Sequence, residues 1–347
     1  MFDTKTHSET EMHGDDYKGE LLANFSSNVW FGAQHEGLYA HLSQCLPQIC
    51  RYPEEHNNQL KTELAVSLNT QPNELLLTNG SVEGIYLLAQ TFSGSESLII
   101  QPTFSEYARA CSTNKHRISY CKAHELSENI IKTMPDLVWL CTPNNPDGYC
   151  FEPAYLETLI EKHPDTLFII DVSFREFSLT KQPDFKWINH FPNVVFIYSF
   201  TKRYGIPGLR LGYIHSNCQI INKVREFSIP WSVNTLAAES LKFIISRYHD
   251  EFNIVEWLAR KDEFCKKINE IGDFECIPSE TPFFLVKLHK GNSTELKHYL
   301  LERGILIRDA SNFFHNGEQY IRLLTLTDDK NALLIQELSK WKQHLSA

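Results

Sequence analysis

From about residue 57 to 245 the chain alternates short apolar runs with stretches whose apolar residues recur at helical spacing. "LKTELAVSL" reads as a helix. "ELLLTNGS" reads as a strand closed by a Gly turn, and "VEGIYLLAQTF" as the helix after it. "SLIIQP" with "SEYARACSTN" repeats the pair, as does "LVWLCTP" with "PAYLETLIEKH"; "TLFIIDVS" and "NVVFIYSF" are two further strands. Strands that are apolar throughout belong to parallel sheets covered by helices on both faces. The pattern predicts an α/β fold, a three-layer αβα domain around a mostly parallel sheet. Right-handed crossovers then place the strand C-termini on one edge. Beyond residue 235 come two long amphipathic stretches, "TLAAESLKFIISRYH" and "EFNIVEWLARKDEFCKKINEI". Short strands "FFLVKL" and "YIRLLTL" follow, with a helix at "STELKHYLLERG". These predict a smaller α+β domain. The first 45 residues have no strong pattern and are expected to pack onto it. The expected division is a large domain at 46–245 and a small one from 1–45 with 246–347.

Polar clusters sit where the predicted strands end. "TNGS" (78–81) ends one strand and opens a helix, whose free N–H groups suit either a phosphate or an ordinary capped turn. "TPNNPDG" (142–148) is a rigid turn. Asp171 of "DVSF" ends an apolar strand and needs a partner, a protonated ring nitrogen or a structural salt bridge. "SFTKRYGIPGLRLGY" then supplies Ser199, Thr201, Lys202 and Arg210. Ligands of open α/β sheets bind just beyond the strand C-termini. Taken jointly, the hydroxyls, helix N–H groups and Arg210 suit a phosphate, Asp171 a pyridinium nitrogen, Asn145 a phenolic oxygen and Lys202 an imine. A ligand carrying all of these groups is pyridoxal 5'-phosphate.

Composition narrows the setting. The net charge of −10 has the wrong sign for a broad nucleic-acid footprint. No apolar run approaches the roughly 18 residues of a membrane span. The polar, acidic start has no apolar signal core. Nine dispersed cysteines form no C-x-x-C pair and read as reduced thiols. The expectation is a cytoplasmic protein with neither nucleic-acid nor membrane partners. H-E-x-x-H, paired-Cys zinc spacing, G-x-S-x-G and G-x-x-x-x-G-K are absent from the sequence, so no metal is expected.

The order "TNGS…PTFSEY…TPNNPDG…DVSF…SFTKRYGIPGLRLGY…YIR" resembles the fold-type-I pyridoxal-phosphate enzymes over nearly the whole chain. The branch it resembles most holds histidinol-phosphate aminotransferase and threonine-phosphate decarboxylase. "IPGLRLGY", "IPWSVNTLAAES" (229–240), "ILIRDASNF" (305–313) and "MHGDD" (12–16) lean toward the decarboxylase. The resemblance implies an aspartate-aminotransferase-like fold and a homodimer with a shared active site. It implies that Lys202 anchors the cofactor and moves a proton at the substrate carbon, with Asp171 on the pyridinium nitrogen and Asn145 on the phenolic oxygen. Phe104 would stack on the ring. Gly80, Ser81, Val82, Ser199, Thr201 and Arg210 would hold the phosphate, with Tyr52 reaching in from a second subunit. Arg322 would grip a substrate carboxylate, and Arg308, Asn28 and His13 a substrate phosphate. Read alone, Arg308 beside Asp309 is also compatible with a surface ion pair. The implied reaction is decarboxylation of a phosphorylated amino acid, L-threonine O-3-phosphate, for the cobalamin side chain. The alternative is transamination of histidinol phosphate or a similar amine. A non-catalytic, cofactor-binding regulator is a third reading, without the DNA-binding extension such proteins usually carry. Phe174 stands where relatives carry a Tyr or Phe after Asp-Glu-Ala, Asp147 replaces a Thr, and "ETPFF" (280–284) is expected to alter the substrate pocket.

Overall fold

The computed structural model describes residues 17, 19–54, 57–249, 251–314 and 318–346. They divide into two compact units. The larger holds Val29–Leu258 with Pro278–Pro282; the smaller holds the chain up to Asn28, Ala259–Ile277 and the chain from Phe283 onward.

The larger unit is built on seven strands: β1 (Leu75–Thr78), β2 (Glu96–Ile100), β3 (Arg117–Cys121), β4 (Leu137–Cys141), β5 (Leu167–Asp171), β6 (Val194–Ser199) and β7 (Gly212–Ser216). Their order is β1-β7-β6-β5-β4-β2-β3. Only β7 runs against the rest, pairing antiparallel with β1 and β6. The sheet is the mostly parallel one that the apolar runs predict. β4 and β6 are buried at every position, so both faces are covered. The order reverses between β2 and β4, the switch point at which open α/β sheets form their crevice. β3 was not among the expected strands. It is an edge strand with mixed burial, and its "RISYC" has no continuous apolar run to announce it.

The smaller unit holds β8 (Phe274–Cys276), β9 (Phe283–Leu288), β10 (Arg308–Asp309) and β11 (Tyr320–Leu324), ordered β10-β11-β9-β8 and antiparallel throughout. The helix Asp328–Ser346 follows them. Among the described residues no helix is long and apolar enough to cross a membrane.

The division falls at 28/29 and 258/259, not at 45/46 and 245/246. Helix Glu36–Cys45 packs on helix Thr235–Arg247. Trp30 meets Phe31, Phe252 and Trp257 at centroid distances of 5.0, 5.2 and 4.6 Å. These aromatic contacts fasten residues 29–45 and 246–258 to the larger unit, and residue order alone does not reveal them.

Gly212 fixes the geometry of the sheet edge. A Cβ there would lie 2.7 Å from the Ser81 nitrogen, 2.7 Å from the Tyr198 oxygen and 2.8 Å from the Gly80 carbonyl carbon. All three are backbone atoms, so no side chain can swing away. Gly212→Ala should therefore lower stability by about 1–3 kcal/mol, the usual scale of overpacking. Denaturant unfolding of the two proteins measures this, and an unchanged midpoint would contradict the close approach.

Candidate active site

Register alone gathers the polar strand ends. Thr78 and Ser199 both pair with Gly212, and Cys141 pairs with Asp171. One pocket beyond that edge is lined by Ser81, Val82, Phe104, Tyr107, Cys141, Asn145, Asp171, Ser173, Phe174, Ser199, Thr201, Lys202 and Arg210. Apart from Gly80 and Tyr52, it contains every cofactor-binding residue expected from the sequence.

One end of the pocket is built for an anion. Helix Gly80–Thr91 starts at Asn79 without a side-chain cap, which leaves the first amides, at Ser81 and Val82, for a ligand. Gly80 adopts φ +77°, and a Cβ there would come within 2.6 Å of Arg210 Nη2. The guanidinium thus lies against the helix start. Arg210 itself has left-handed backbone, φ 57°, a strained state of order 1–3 kcal/mol that clusters at ligand clamps. Thr201 Oγ1 is buried with no hydrogen-bond partner. An orphaned hydroxyl, free amides and a guanidinium together fit a phosphate.

The other end carries the acid. Asp171 is 5% exposed. Its Oδ1 accepts from the Ser173 amide at 2.9 Å and its Oδ2 from the Tyr107 hydroxyl at 2.8 Å. Burial pushes the carboxyl above the ordinary range, against the hydrogen bonds of Ser173 and Tyr107 and the charge of Lys202. A cationic ring nitrogen would reverse that cost. Tyr107 was not singled out in the sequence, although it lies three residues after Phe104. The two rings meet edge to face at 5.9 Å, and Tyr107 stacks on Trp139 at 6.1 Å. Lys202 lies in the short helix Phe200–Arg203, its carbonyl accepting the Trp30 amide at 2.8 Å.

The turn bearing Asn145 is locked by its neighbours. Asn144 Oδ1 accepts from Thr103 Oγ1 at 2.8 Å, and its Nδ2 donates to Pro102 O at 2.8 Å and to Asp147 Oδ1 at 2.7 Å. Asp147 is therefore a fastener of the turn. Segment 278–282 packs behind the same turn, with Glu280 N donating to Gly148 O at 3.3 Å. At Glu280 and Thr281 the "ETPFF" stretch thus lies against the Asn145 turn.

Other expected site residues lie elsewhere. Tyr52 is 82% exposed and packs on Trp231 at 4.8 Å, outside this pocket. His13 lies outside the described residues. In the smaller unit Arg308 and Arg322 face each other in register on β10 and β11, and both are buried. Arg308 Nη2 donates to Asn312 Oδ1 at 3.5 Å. The oxygens of Asp309 accept from Ser293, Thr294 and Ser311. Burial first, then the charge of Arg308, pull the Arg322 guanidinium down to about 9. Arg322 Nη2 donates to Ser26 O. Two residues on, Asn28 is buried with neither side-chain polar atom hydrogen-bonded.

The sequence model of the family described as "Aminotransferase class I and II" matches residues 29–338. The chain belongs to that family. Its cofactor is pyridoxal phosphate, which the pocket fits at both ends. The chain is similar to a crystal structure of L-threonine-O-3-phosphate decarboxylase from Porphyromonas gingivalis, at 38% identity and TM-score 0.89, covering 93% of this chain and 100% of that one. A histidinol-phosphate aminotransferase from Caldanaerobacter subterraneus subsp. tengcongensis is 29% identical over 83% of each chain. The histidinol-phosphate aminotransferase of Sinorhizobium meliloti, solved with pyridoxal-5'-phosphate, shares the fold at TM-score 0.78 and 18% identity, over 92% of this chain and 90% of that one.

Asp171 binds its proton more tightly in the native cofactor-free protein than in the unfolded chain. Its contribution to stability therefore falls as pH rises through that window. Asp171→Asn should leave the cofactor-free protein at least as stable as wild type at neutral pH, while shrinking the rise in thermal midpoint that pyridoxal phosphate produces. A large loss in the cofactor-free midpoint would make the carboxylate structural. Tyr107→Phe removes a donor to a charged acceptor, typically 1.5–3 kcal/mol. It should weaken cofactor binding by about tenfold or more, read by spectroscopic titration.

Proposed function

We propose that this family member decarboxylates a phosphorylated amino acid, L-threonine O-3-phosphate, giving aminopropanol phosphate of the kind used in the cobalamin side chain. It does so as a cytoplasmic homodimer. The observation carrying the substrate class is the Arg308–Arg322 pair. Like charges directly opposite on neighbouring strands are destabilising, and burial adds to the cost. A small ligand with both a carboxylate and a phosphate suits two guanidiniums set side by side. Similarity to the Porphyromonas decarboxylase, at 38% identity, supports that substrate. The exposed Tyr52 and Trp231 support a subunit contact, and the free cysteines a reducing compartment.

When bound, pyridoxal phosphate supplies an electron sink that weakens whichever bond at the substrate Cα stands perpendicular to its ring. The chain's own groups do the rest. Ser81, Val82, Ser199, Thr201 and Arg210 hold the cofactor phosphate, and Gly80 makes room for the guanidinium. Asp171, steadied by Tyr107, holds the proton on the ring nitrogen. Asn145 donates to the phenolic oxygen, and Phe104 and Phe174 exclude water. Phe174 has no hydroxyl to offer there. Arg322 takes the substrate carboxylate, and Arg308 with Asn28 and His13 takes its phosphate. How Arg308 and Arg322 hold the two anionic groups would decide which bond of the substrate carbon is labile, and so whether CO2 or the Cα proton is lost. Lys202 Nζ would hold the cofactor through its aldehyde and would carry the proton exchanged with the substrate carbon.

A second reading, transamination of histidinol phosphate or a similar amine, is favoured by the Caldanaerobacter relative. Co-substrate dependence separates the two. A decarboxylase turns over L-threonine O-3-phosphate with CO2 release and no 2-oxo acid. Stoichiometric pyridoxamine phosphate without CO2 would overturn the proposal. Borohydride reduction should fix the cofactor on Lys202, and an adduct on another lysine would sink that assignment.

Charged hydrogen bonds of the Arg308 type contribute about 1.5–3 kcal/mol each, roughly tenfold to over a hundredfold in binding. Arg308→Ala should weaken phosphorylated substrates far more than their dephospho analogues, whereas Arg322→Ala should weaken both alike. Arg308→Ala should also divert a fraction of turnovers to pyridoxamine phosphate, measured together with CO2.

A further inference from the structure

His41, Cys45 and Glu239 form a compact donor set that the proposed reaction does not use. His41 and Cys45 lie four residues apart on helix Glu36–Cys45 and so share one face. Glu239 comes from helix Thr235–Arg247, 194 residues beyond Cys45. The three contacts form a nearly regular triangle. Cys45 Sγ is 3.8 Å from His41 Nε2 and 3.6 Å from Glu239 Oε2, and His41 Nε2 is 3.5 Å from the same oxygen. Tetrahedral zinc, with bonds of about 2.3 Å to sulfur and about 2.0–2.1 Å to nitrogen and oxygen, requires donor separations of roughly 3.3–3.6 Å. The observed triangle needs only a small contraction to match.

The surroundings suit such an ion. Cys45 and Glu239 are buried. The second carboxylate oxygen of Glu239 accepts from Lys242 Nζ at 2.7 Å, which points Oε2 at the cysteine and histidine. The His41 ring lies against Phe243 at 5.5 Å. A cavity of about 490 Å³ reaches Glu239 and Lys242, giving water a route to a fourth position. Mixed sulfur, nitrogen and oxygen donors favour zinc over the hard cations magnesium and calcium.

We propose that His41 Nε2, Cys45 Sγ and Glu239 Oε2 bind a zinc ion with water as fourth ligand, clamping helix Glu36–Cys45 to helix Thr235–Arg247. On binding, the zinc–sulfur bond forms, the Cys45 S–H bond breaks and its proton leaves to solvent. The clamp is separate from the cofactor pocket, whose lining shares no residue with it. The sequence carries no zinc spacing for it because the third ligand arrives from a distant helix.

The test uses the full chain loaded with pyridoxal phosphate, stripped of metal by a chelator and titrated with cobalt(II). Tetrahedral thiolate ligation should give intense ligand-field bands at the red end of the visible, bleached by about one equivalent of zinc per chain. Cys45→Ser and His41→Gln should each abolish the bands and weaken zinc binding by more than about tenfold, the scale already reached by groups one shell further out. Zinc should raise the thermal midpoint of wild type and of neither variant. Should Cys45→Ser fail to fold, His41→Gln, at a side chain 22% exposed, still decides. Weak octahedral bands, no stoichiometric zinc uptake, or zinc retained at full affinity by His41→Gln would each overturn the proposal.

Discussion

A carboxylate held at the end of a buried strand is the constraint on which the larger unit turns. Asp171 closes β5, where nearly every neighbour is apolar, and a charge there is stable only with directed partners. The Ser173 amide supplies one from its own turn. The Tyr107 hydroxyl supplies the other from a helix 64 residues earlier in the chain. Holding both requires β2 and β4 to be adjacent, because Tyr107 follows β2. The strand-order reversal at that place is thus the arrangement that brings the acid's partner within reach. The same reversal opens the crevice a planar ligand needs.

Much of this pocket was legible in the sequence because its residues occupy strand ends, and strand ends follow from hydrophobic patterning. Asp171, Ser199, Thr201 and Lys202 each follow an apolar run directly. Once those runs are parallel strands, their ends share an edge. Arg210 and Gly80 were legible through turn chemistry next to the runs. Tyr107 was not, because its role depends on a contact across the sheet that no local pattern encodes. The edge strand β3 and the antiparallel β7 were missed for a related reason. Their residues mix polar and apolar positions, and His215 Nε2 in β7 is hydrogen-bonded to Thr70 Oγ1 at 2.9 Å, a partner far away in the chain. The unit boundaries were displaced because Trp30 and Trp257 join segments that look unrelated in one dimension. Helix Asp328–Ser346 buries Leu334, Leu338 and Trp341 at helical spacing, yet the charged residues between them dilute the stripe.

The departures from the family pattern become coherent once the turn at Asn145 is seen as a built object. Asp147 in place of a threonine ties Asn144 down, and Asn144 in turn holds the Pro102 segment that leads to Phe104. Segment 278–282 closes the turn from behind. Gly148 permits this, since a Cβ there would lie 1.9 Å from Ser279 Oγ. Ring stacking and the phenolic-oxygen contact are therefore mechanically connected in the proposed enzyme. A change at Asp147 would disturb Phe104 and Asn145 together.

Charge in the smaller unit follows a different logic. Asp309 adjoins Arg308 in sequence, and simple pairing would neutralise both. Three hydroxyl-bearing residues, Ser293, Thr294 and Ser311, supply the donors around Asp309 instead. This keeps its carboxyl below the ordinary range even though burial acts the other way. Neutral donors thus stabilise the acid without spending a cation on it, while Arg322 stands beside Arg308 at the cost of mutual repulsion. In the Asp171 pocket a buried acid is held by the Ser173 amide and the Tyr107 hydroxyl; at β10 and β11 two buried guanidiniums stand opposite each other. That contrast is what the proposal draws on when it gives the cofactor to the Asp171 pocket and the anionic groups of the substrate to Arg308 and Arg322.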